Sequence, residues 1–301
     1  MGAGTFNPSA YAAYSSTTVG KSTDRIYTSR GISDSLNPLG VKMRESRDSA
    51  DNPASTPIIV GLDVTGSMGM LADVIAREGL GTLFTGILDR KPVSNPHVMF
   101  MGIGDANCDR APLQVSQFEA DNRVVEQLTQ LYLEGGGGGN NFESYNLPWY
   151  FAAFHTAHDS IEKRGKRGYL FTVGDEEAPA PLTKAQIKQY IGDDMQSDLS
   201  TRDVLELAQR KYNIFHIIVE EGSHARSHLG AVQDSWRDLL GQHVISLSDH
   251  KKLAETIVSA IEVAEGASAE SSATAWGAGG HVVLDAVKHL SGTSRPLLGV
   301  A

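Results

Sequence analysis

Asp63, Thr65 and Ser67 occupy alternate positions in Asp63-Val64-Thr65-Gly66-Ser67, directly after the apolar run Ile58-Ile59-Val60-Gly61-Leu62. If the chain stays extended past that run, side chains two apart point the same way. One carboxylate and two hydroxyls would then face a single spot. This donor set is hard-oxygen chemistry, suited to Mg²⁺ or Mn²⁺ and poorly suited to zinc.

Elements on both sides must hold those oxygens in place. Residues 57–62 have the length and β-branched content of a buried parallel strand, and Gly66 permits the turn that follows. Leu71, Val74, Ile75, Leu80, Leu83, Phe84 and Ile87 then recur at helical spacing and predict one helix with a single buried face. A helix N-terminus beside the turn adds backbone N–H groups and a favourable dipole for charge. Two enzyme motifs share this strand–turn–helix layout. A phosphate-binding loop needs a lysine, and none lies between Asp63 and Arg77. Aspartyl-phosphate phosphotransferases carry a second aspartate as general acid where this chain has Thr65, whose hydroxyl is no proton donor at useful pH.

Asp63-x-Thr65-x-Ser67 after an apolar strand resembles the metal-ion-dependent adhesion site of von Willebrand factor A (VWA) domains, in its Asp-x-Thr-Gly-Ser variant. Two further pieces of that site follow in order. One is a glycine-rich loop, Gly135-Gly136-Gly137-Gly138-Gly139-Asn140-Asn141-Phe142-Glu143-Ser144. The other is an aspartate after a strand, Tyr169-Leu170-Phe171-Thr172-Val173-Gly174-Asp175. The resemblance covers about residues 55–265. It implies that Thr65 and Ser67 contact the metal directly, and that Asp63 and Asp175 act directly or through water. The loop departs from the pattern: Asn140 or Asn141 replaces the usual threonine, with Glu143 as a third candidate. An amide oxygen still serves a hard cation. The implied ion is Mg²⁺, with Mn²⁺ or Ca²⁺ as alternatives.

The rest of the chain alternates strands and helices, as an α/β domain requires. Strands are expected at 97–103, 169–173, 214–219 and 244–247, and a half-exposed edge strand at 113–118. Helices are expected after the edge strand and between the later strands, including one over 147–161 and one opened by a capping box at Ser200-Thr201-Arg202-Asp203. The fold class is therefore a doubly wound, mostly parallel six-stranded sheet with helices on both faces and one antiparallel edge strand. In the order 3-2-1-4-5-6 the strand order reverses between the first and fourth strands, where ligands bind. Asp63 ends the first and Asp175 the fourth, so topology alone brings them to one crevice.

Composition narrows the function. The chain has 301 residues, 41% hydrophobic and 21% charged, with a formal net charge of −10. That charge argues against a molecule-wide nucleic-acid surface, and the basic run Lys163-Arg164-Gly165-Lys166-Arg167 reads as a solvated turn. No apolar segment approaches the roughly 20 residues that span a bilayer, and residues 1–6 do not read as a signal peptide. One cysteine, Cys108, suits a reducing compartment. The expected setting is cytoplasmic, or a virion if phage-encoded.

Other candidates read as ordinary structure. Asp105 follows a strand end and reads as a turn residue near the site. Glu176 and Glu177 read as solvated neighbours of Asp175. His155/His158 and His224/His228 have helical spacing but no third ligand, and His216 reads as a core histidine.

Residues 1–54 form an extension rich in Ser, Thr, Gly and Asn that still carries Phe6, Tyr11, Tyr14, Ile26 and Tyr27. Those aromatics predict docking, on the domain or across a subunit interface of a homo-oligomer. Residues 266–280 read as a flexible linker, and Val282, Val283, Ala286, Val287 and Leu290 as a short amphipathic helix. The resemblance implies a bacterial or phage adaptor whose bound metal captures an Asp or Glu carboxylate of a protein partner, such as an AAA+ ATPase or an assembly subunit. Competing readings are a structural component with a stabilising or vestigial metal site, and a Mg²⁺-dependent phosphotransferase or hydrolase using Asp63.

Overall fold

In chain order the strands are β1 (Arg44–Ser46), β2 (Thr56–Asp63), β3 (Pro96–Ile103), β4 (Leu113–Val115), β5 (Thr156–His158), β6 (Gly168–Gly174), β7 (Tyr212–Val219) and β8 (Val244–Leu247). The structure, a computed structural model, describes residues 4–135 and 142–291. Six strands form one sheet in the order β4-β3-β2-β6-β7-β8, parallel throughout except for antiparallel β4. This is the expected 3-2-1-4-5-6 order of a doubly wound fold, reversing between β2 and β6.

Side chains on β2 alternate between two cores. Ile58, Val60 and Leu62 face the layer of the helices Leu80–Arg90 and Leu253–Ala264. Ile59 faces the helices Asn146–His155, Thr201–Gln209 and Ser223–Leu240. Burial on both faces explains why this strand reads as a continuous apolar run. The capping box at Ser200 forms as expected, with Ser200 and Asp203 bonded reciprocally.

Four local expectations are corrected. The first helix is not one regular helix: a 3-10 turn Gly66–Met68 leads to Gly69–Val74, a π turn Ile75–Gly79, and Leu80–Arg90. The step from Ile75 to Leu80 is five residues, and one i→i+5 turn keeps both on the buried face. The edge strand is three residues long and buried rather than half-exposed, because the extension lies against it and the Val115 N–H donates to the Leu36 carbonyl at 2.8 Å. The helix expected over 147–161 ends at His155, since Thr156–His158 leave it to pair in parallel with β1. Residues 266–280 contain a helix, Ala269–Thr274, capped by Ser268 and anchored by Trp276, whose indole N–H donates to Ser259 Oγ at 2.8 Å.

The described segments towards both ends pack on the domain. Phe6 stacks on Phe84 with ring centroids 4.4 Å apart, and the Tyr27 hydroxyl donates to the Ala72 carbonyl at 2.6 Å. Val283 and Val287, from the helix Gly280–Val287, are buried. The Phe6, Tyr27 and Val287 contacts join the core layer on the face away from Tyr145 and Trp236.

Candidate metal centre

The site starts from the register of two neighbouring strands. Leu62 of β2 lies opposite Val173 of β6. One step further, Asp63 stands beside Gly174, with Asp175 just beyond, on strands about 4.8 Å apart. Both aspartates are fully buried.

Asp63 is held at both oxygens. The Thr65 N–H and hydroxyl donate to Oδ1 at 2.9 and 2.6 Å, and the Tyr145 hydroxyl donates to Oδ2 at 3.0 Å. The pair of hydrogen bonds to Oδ1 is what the Asp-x-Thr spacing builds locally, because an Asp side chain readily accepts from the backbone two residues on. Burial drives the Asp63 carboxyl up to about 7; the Thr65 bonds and Tyr145 oppose that rise and Asp175 adds to it. Asp175 Oδ2 accepts the His224 N–H at 2.9 Å, at the start of the helix Ser223–Leu240. Gly222 comes so near Asp175 that a Cβ there would overlap its carboxylate, and Gly174 gives the Tyr145 hydroxyl similar room.

Two more acids enter the crevice. Glu143 is 3% exposed, and its Oε2 has no hydrogen-bond partner. Its backbone is strapped to neighbouring strands: the Ser144 N–H donates to the Gly104 carbonyl at 3.1 Å, and Phe142 forms a bridge with Glu177. Burial first, then Asp63, Glu176, Asp109 and Asp105, push the Glu143 carboxyl up to about 10. Glu176, expected to be solvated, is half-buried instead, and its Oε2 is likewise buried and unpartnered. Burial, Asp63 and Asp175 lead the causes that raise it to about 8. The correction comes from the helix Ser223–Leu240, whose Trp236 indole N–H donates to the Glu176 carbonyl at 2.9 Å and covers the strand end.

The floor is aromatic. Tyr145 meets His216 and Trp236 edge-on at 4.9 and 5.5 Å, and Trp149 adds to Trp236 at 6.0 Å. An aromatic floor under several buried acids makes each negative charge costly. Buried carboxylate oxygens without donors, whose nearest charges are other acids, fit a hard divalent cation. Of the sequence candidates, Asp63, Thr65, Glu143 and Asp175 come together here. For Ser67 only the backbone is described, within the turn Gly66–Met68. Asn140 and Asn141 lie outside the described residues.

No protein-family profile matches the sequence, and no curated protein matches it. Among solved structures the chain is similar to pilus adhesin SpaC from Lactobacillus rhamnosus GG in two crystal structures, one of them an open conformation. Both are 10% identical, with TM-scores of 0.45 and 0.44 over 75% and 74% of this chain. It is also similar to a von Willebrand factor type A protein from Catenulispora acidiphila, 12% identical, with a TM-score of 0.38 over 71% of this chain. The chain spans 32%, 31% and 43% of those proteins. At these scores the site rests on its own residues and strand order.

Other candidates have structural work. Asp105 serves its own turn, accepting from the Asn107 N–H at 2.9 Å. His155 bonds the Val41 carbonyl and Asp193, both at 2.8 Å. His158 Nδ1 accepts the Ile161 N–H, and buried His216 pairs with the Thr172 hydroxyl at 2.9 Å. Among the described residues, one set of three acid or histidine ligand atoms lies within 4.8 Å: Glu221, Asp249 and His250. There Glu221 already accepts from the His250 N–H and Nδ1 at 2.7 and 2.5 Å, so the group reads as a hydrogen-bonded pair closing the ends of β7 and β8. Sequence reasoning missed Tyr145, Glu176 and Gly222. The run Glu143-Ser144-Tyr145 next to the glycine loop was the nearest signal to the first.

Proposed function

We propose that this chain is a metal-dependent protein-binding module. Asp63, Thr65, Ser67 and Asp175, with a glycine-loop donor from Asn140, Asn141 or Glu143, would hold Mg²⁺, or Mn²⁺ or Ca²⁺ in its place. The ion supplies a positive centre that attracts a carboxylate. A protein partner would present an Asp or Glu to it, and the resemblance suggests an AAA+ ATPase or a subunit of a larger assembly. The observation that carries this reading is the convergence of buried acids at the strand-order reversal, with two carboxylate oxygens lacking any donor. Phe142, 38% exposed beside Glu143, offers apolar surface at the rim for the same partner.

The phosphotransferase reading fits less well. Asp63 is fully buried and already accepts at both oxygens, a poor arrangement for a nucleophile. No helix among the described residues is long and apolar enough to cross a membrane.

Linkage supplies the test. A ligand present at a hundred times its Kd stabilises by about 2.7 kcal/mol, and each kcal/mol is about 2–4 °C in a large domain. Millimolar Mg²⁺ or Mn²⁺ should raise the melting temperature by several degrees, and Asp63→Ala should abolish the rise. Identical wild-type melting curves in EDTA and in Mn²⁺ would reject the metal. A pull-down from the native host with and without EDTA then tests capture.

A further inference from the structure

The metal reading leaves the part played by one side chain open. Glu143 is almost fully buried, its Oε2 meets no donor, and the charges that bear on it most are Asp63, Glu176, Asp109 and Asp105, all acidic. A buried carboxylate oxygen ordinarily finds a hydrogen bond or a cation. Its backbone does not drift to find one. Ser144 Oγ accepts the Ala106 N–H at 2.9 Å, the Leu147 N–H donates to the Ser144 carbonyl at 2.9 Å, and the Phe142 bridge to Glu177 fixes the other side. Glu143 is thus tied through its neighbours to the strand ends and keeps a buried oxygen without a donor, with Asp63 the strongest of the acids that bear on it.

We propose, on the metal reading above, that Glu143 is the chain's own carboxylate for the bound cation. It takes the coordination position that a partner's acid would fill. Capture of a partner is then an exchange of one carboxylate for another, and the resting crevice is self-closed. Two consequences follow physically. The ion binds the isolated chain tightly, because Glu143 supplies a carboxylate without a partner. An external carboxylate binds weakly until it displaces Glu143, since both compete for one position. This arrangement selects partners that add contacts beyond the acid itself, such as an apolar residue against exposed Phe142.

The test uses the full chain and Mn²⁺ alone, followed by acetate as the carboxylate probe. Isothermal titration should show wild type binding Mn²⁺ and E143Q binding it at least about tenfold more weakly, the scale of losing a supporting contact at a metal site. The metal-free melting temperature of E143Q should equal or exceed that of wild type, because a buried unpartnered acid is removed. At saturating Mn²⁺, acetate should bind E143Q more tightly than wild type, read from the relaxation of water protons on the bound Mn²⁺. Glu143→Asp, which keeps the charge but withdraws the oxygen, should behave as E143Q does and serves if E143Q folds poorly. Equal Mn²⁺ affinity in wild type and both variants would overturn the role of Glu143 and leave the metal reading standing. Acetate binding no better in the variants would also overturn it. Absence of Mn²⁺ binding in wild type would instead defeat the metal reading itself.

Discussion

Two regions of this molecule gather carboxylates in partly or fully buried positions, and they treat them in opposite ways. Along the seam between the N-terminal extension and the helix Asp159–Arg164, Asp159 meets Arg47 at 2.9 Å and Lys163 at 2.6 Å, and Asp48 meets Arg164 at 2.7 Å. Burial pushes Asp159 up, but Lys163, the Asp48 N–H and Arg47 together outweigh it and hold it near 2. In the crevice at the ends of β2 and β6, burial is reinforced by neighbouring acids, and Asp63, Glu176 and Glu143 rise to about 7, 8 and 10. The residue types are alike. The seam carries its own cations, whereas the charges that bear most on the crevice acids are other acids.

That contrast is most exposed to pH in metal-free protein. A carboxyl raised on folding holds its proton more tightly when folded. Its stability contribution is complete below the ordinary values of 3.8 and 4.5 and is lost as pH climbs through the raised values of about 7, 8 and 10. Asp159 runs the other way: its contribution is present above 3.8 and lost as pH falls towards about 2. The expected result is a urea midpoint that falls between about pH 5 and about pH 9 in EDTA, with the fall flattened by Mg²⁺. A midpoint that rises over this interval would dissolve the distinction between the regions.

The seam can be broken next. Arg47→Ala removes a guanidinium shared by Glu45, Asp159 and Glu162 and leaves Asp159, 6% exposed at its side chain, with Lys163 as its charged partner beside the Asp48 N–H. Arg47 is itself 30% exposed, so we expect a loss of about 2 kcal/mol, below the 3–5 kcal/mol of a fully buried pair. The loss should be the same in EDTA and in Mg²⁺. A loss below about 0.5 kcal/mol by urea unfolding would place the seam among ordinary surface ion pairs.

The smallest effect sharpens the comparison by its sign. Asp63→Asn in EDTA at pH 8 keeps an acceptor for the Thr65 N–H and hydroxyl while deleting a buried charge. Stability should stay level or rise by up to about 1 kcal/mol. Asp159→Asn should lower it. If both substitutions destabilise equally, Asp63 is a structural acid and the crevice needs no cation.

Much of this was legible in the sequence. The continuous apolar runs of β2, β3, β6 and β7 are what burial on both faces demands, and their alternation with helices implied the observed sheet order. The five-residue step from Ile75 to Leu80 encodes the π turn for a reader who asks how both can share a face. β5 was not legible, because three residues inside a helical pattern become a strand only when Arg44–Ser46 lie beside them. Glu176 read as solvated for the same kind of reason: its burial depends on Trp236 reaching back from a helix that begins 47 residues later.

By itself the sequence determined the spacing Asp63-x-Thr65, which closes two hydrogen bonds within three residues, and the strand ends that carry Asp63 and Asp175. Local geometry needs only neighbouring residues, and strand order follows from which runs must be buried. Only the tertiary structure decided that Glu143 and Glu176 lack donors, that Tyr145 rests on Asp63, and that the basic run at 163–167 is partly spent on Asp48, Asp159 and Glu265. Whether an acid is neutralised depends on which distant side chains share its low-dielectric surroundings, and chain spacing does not carry that information.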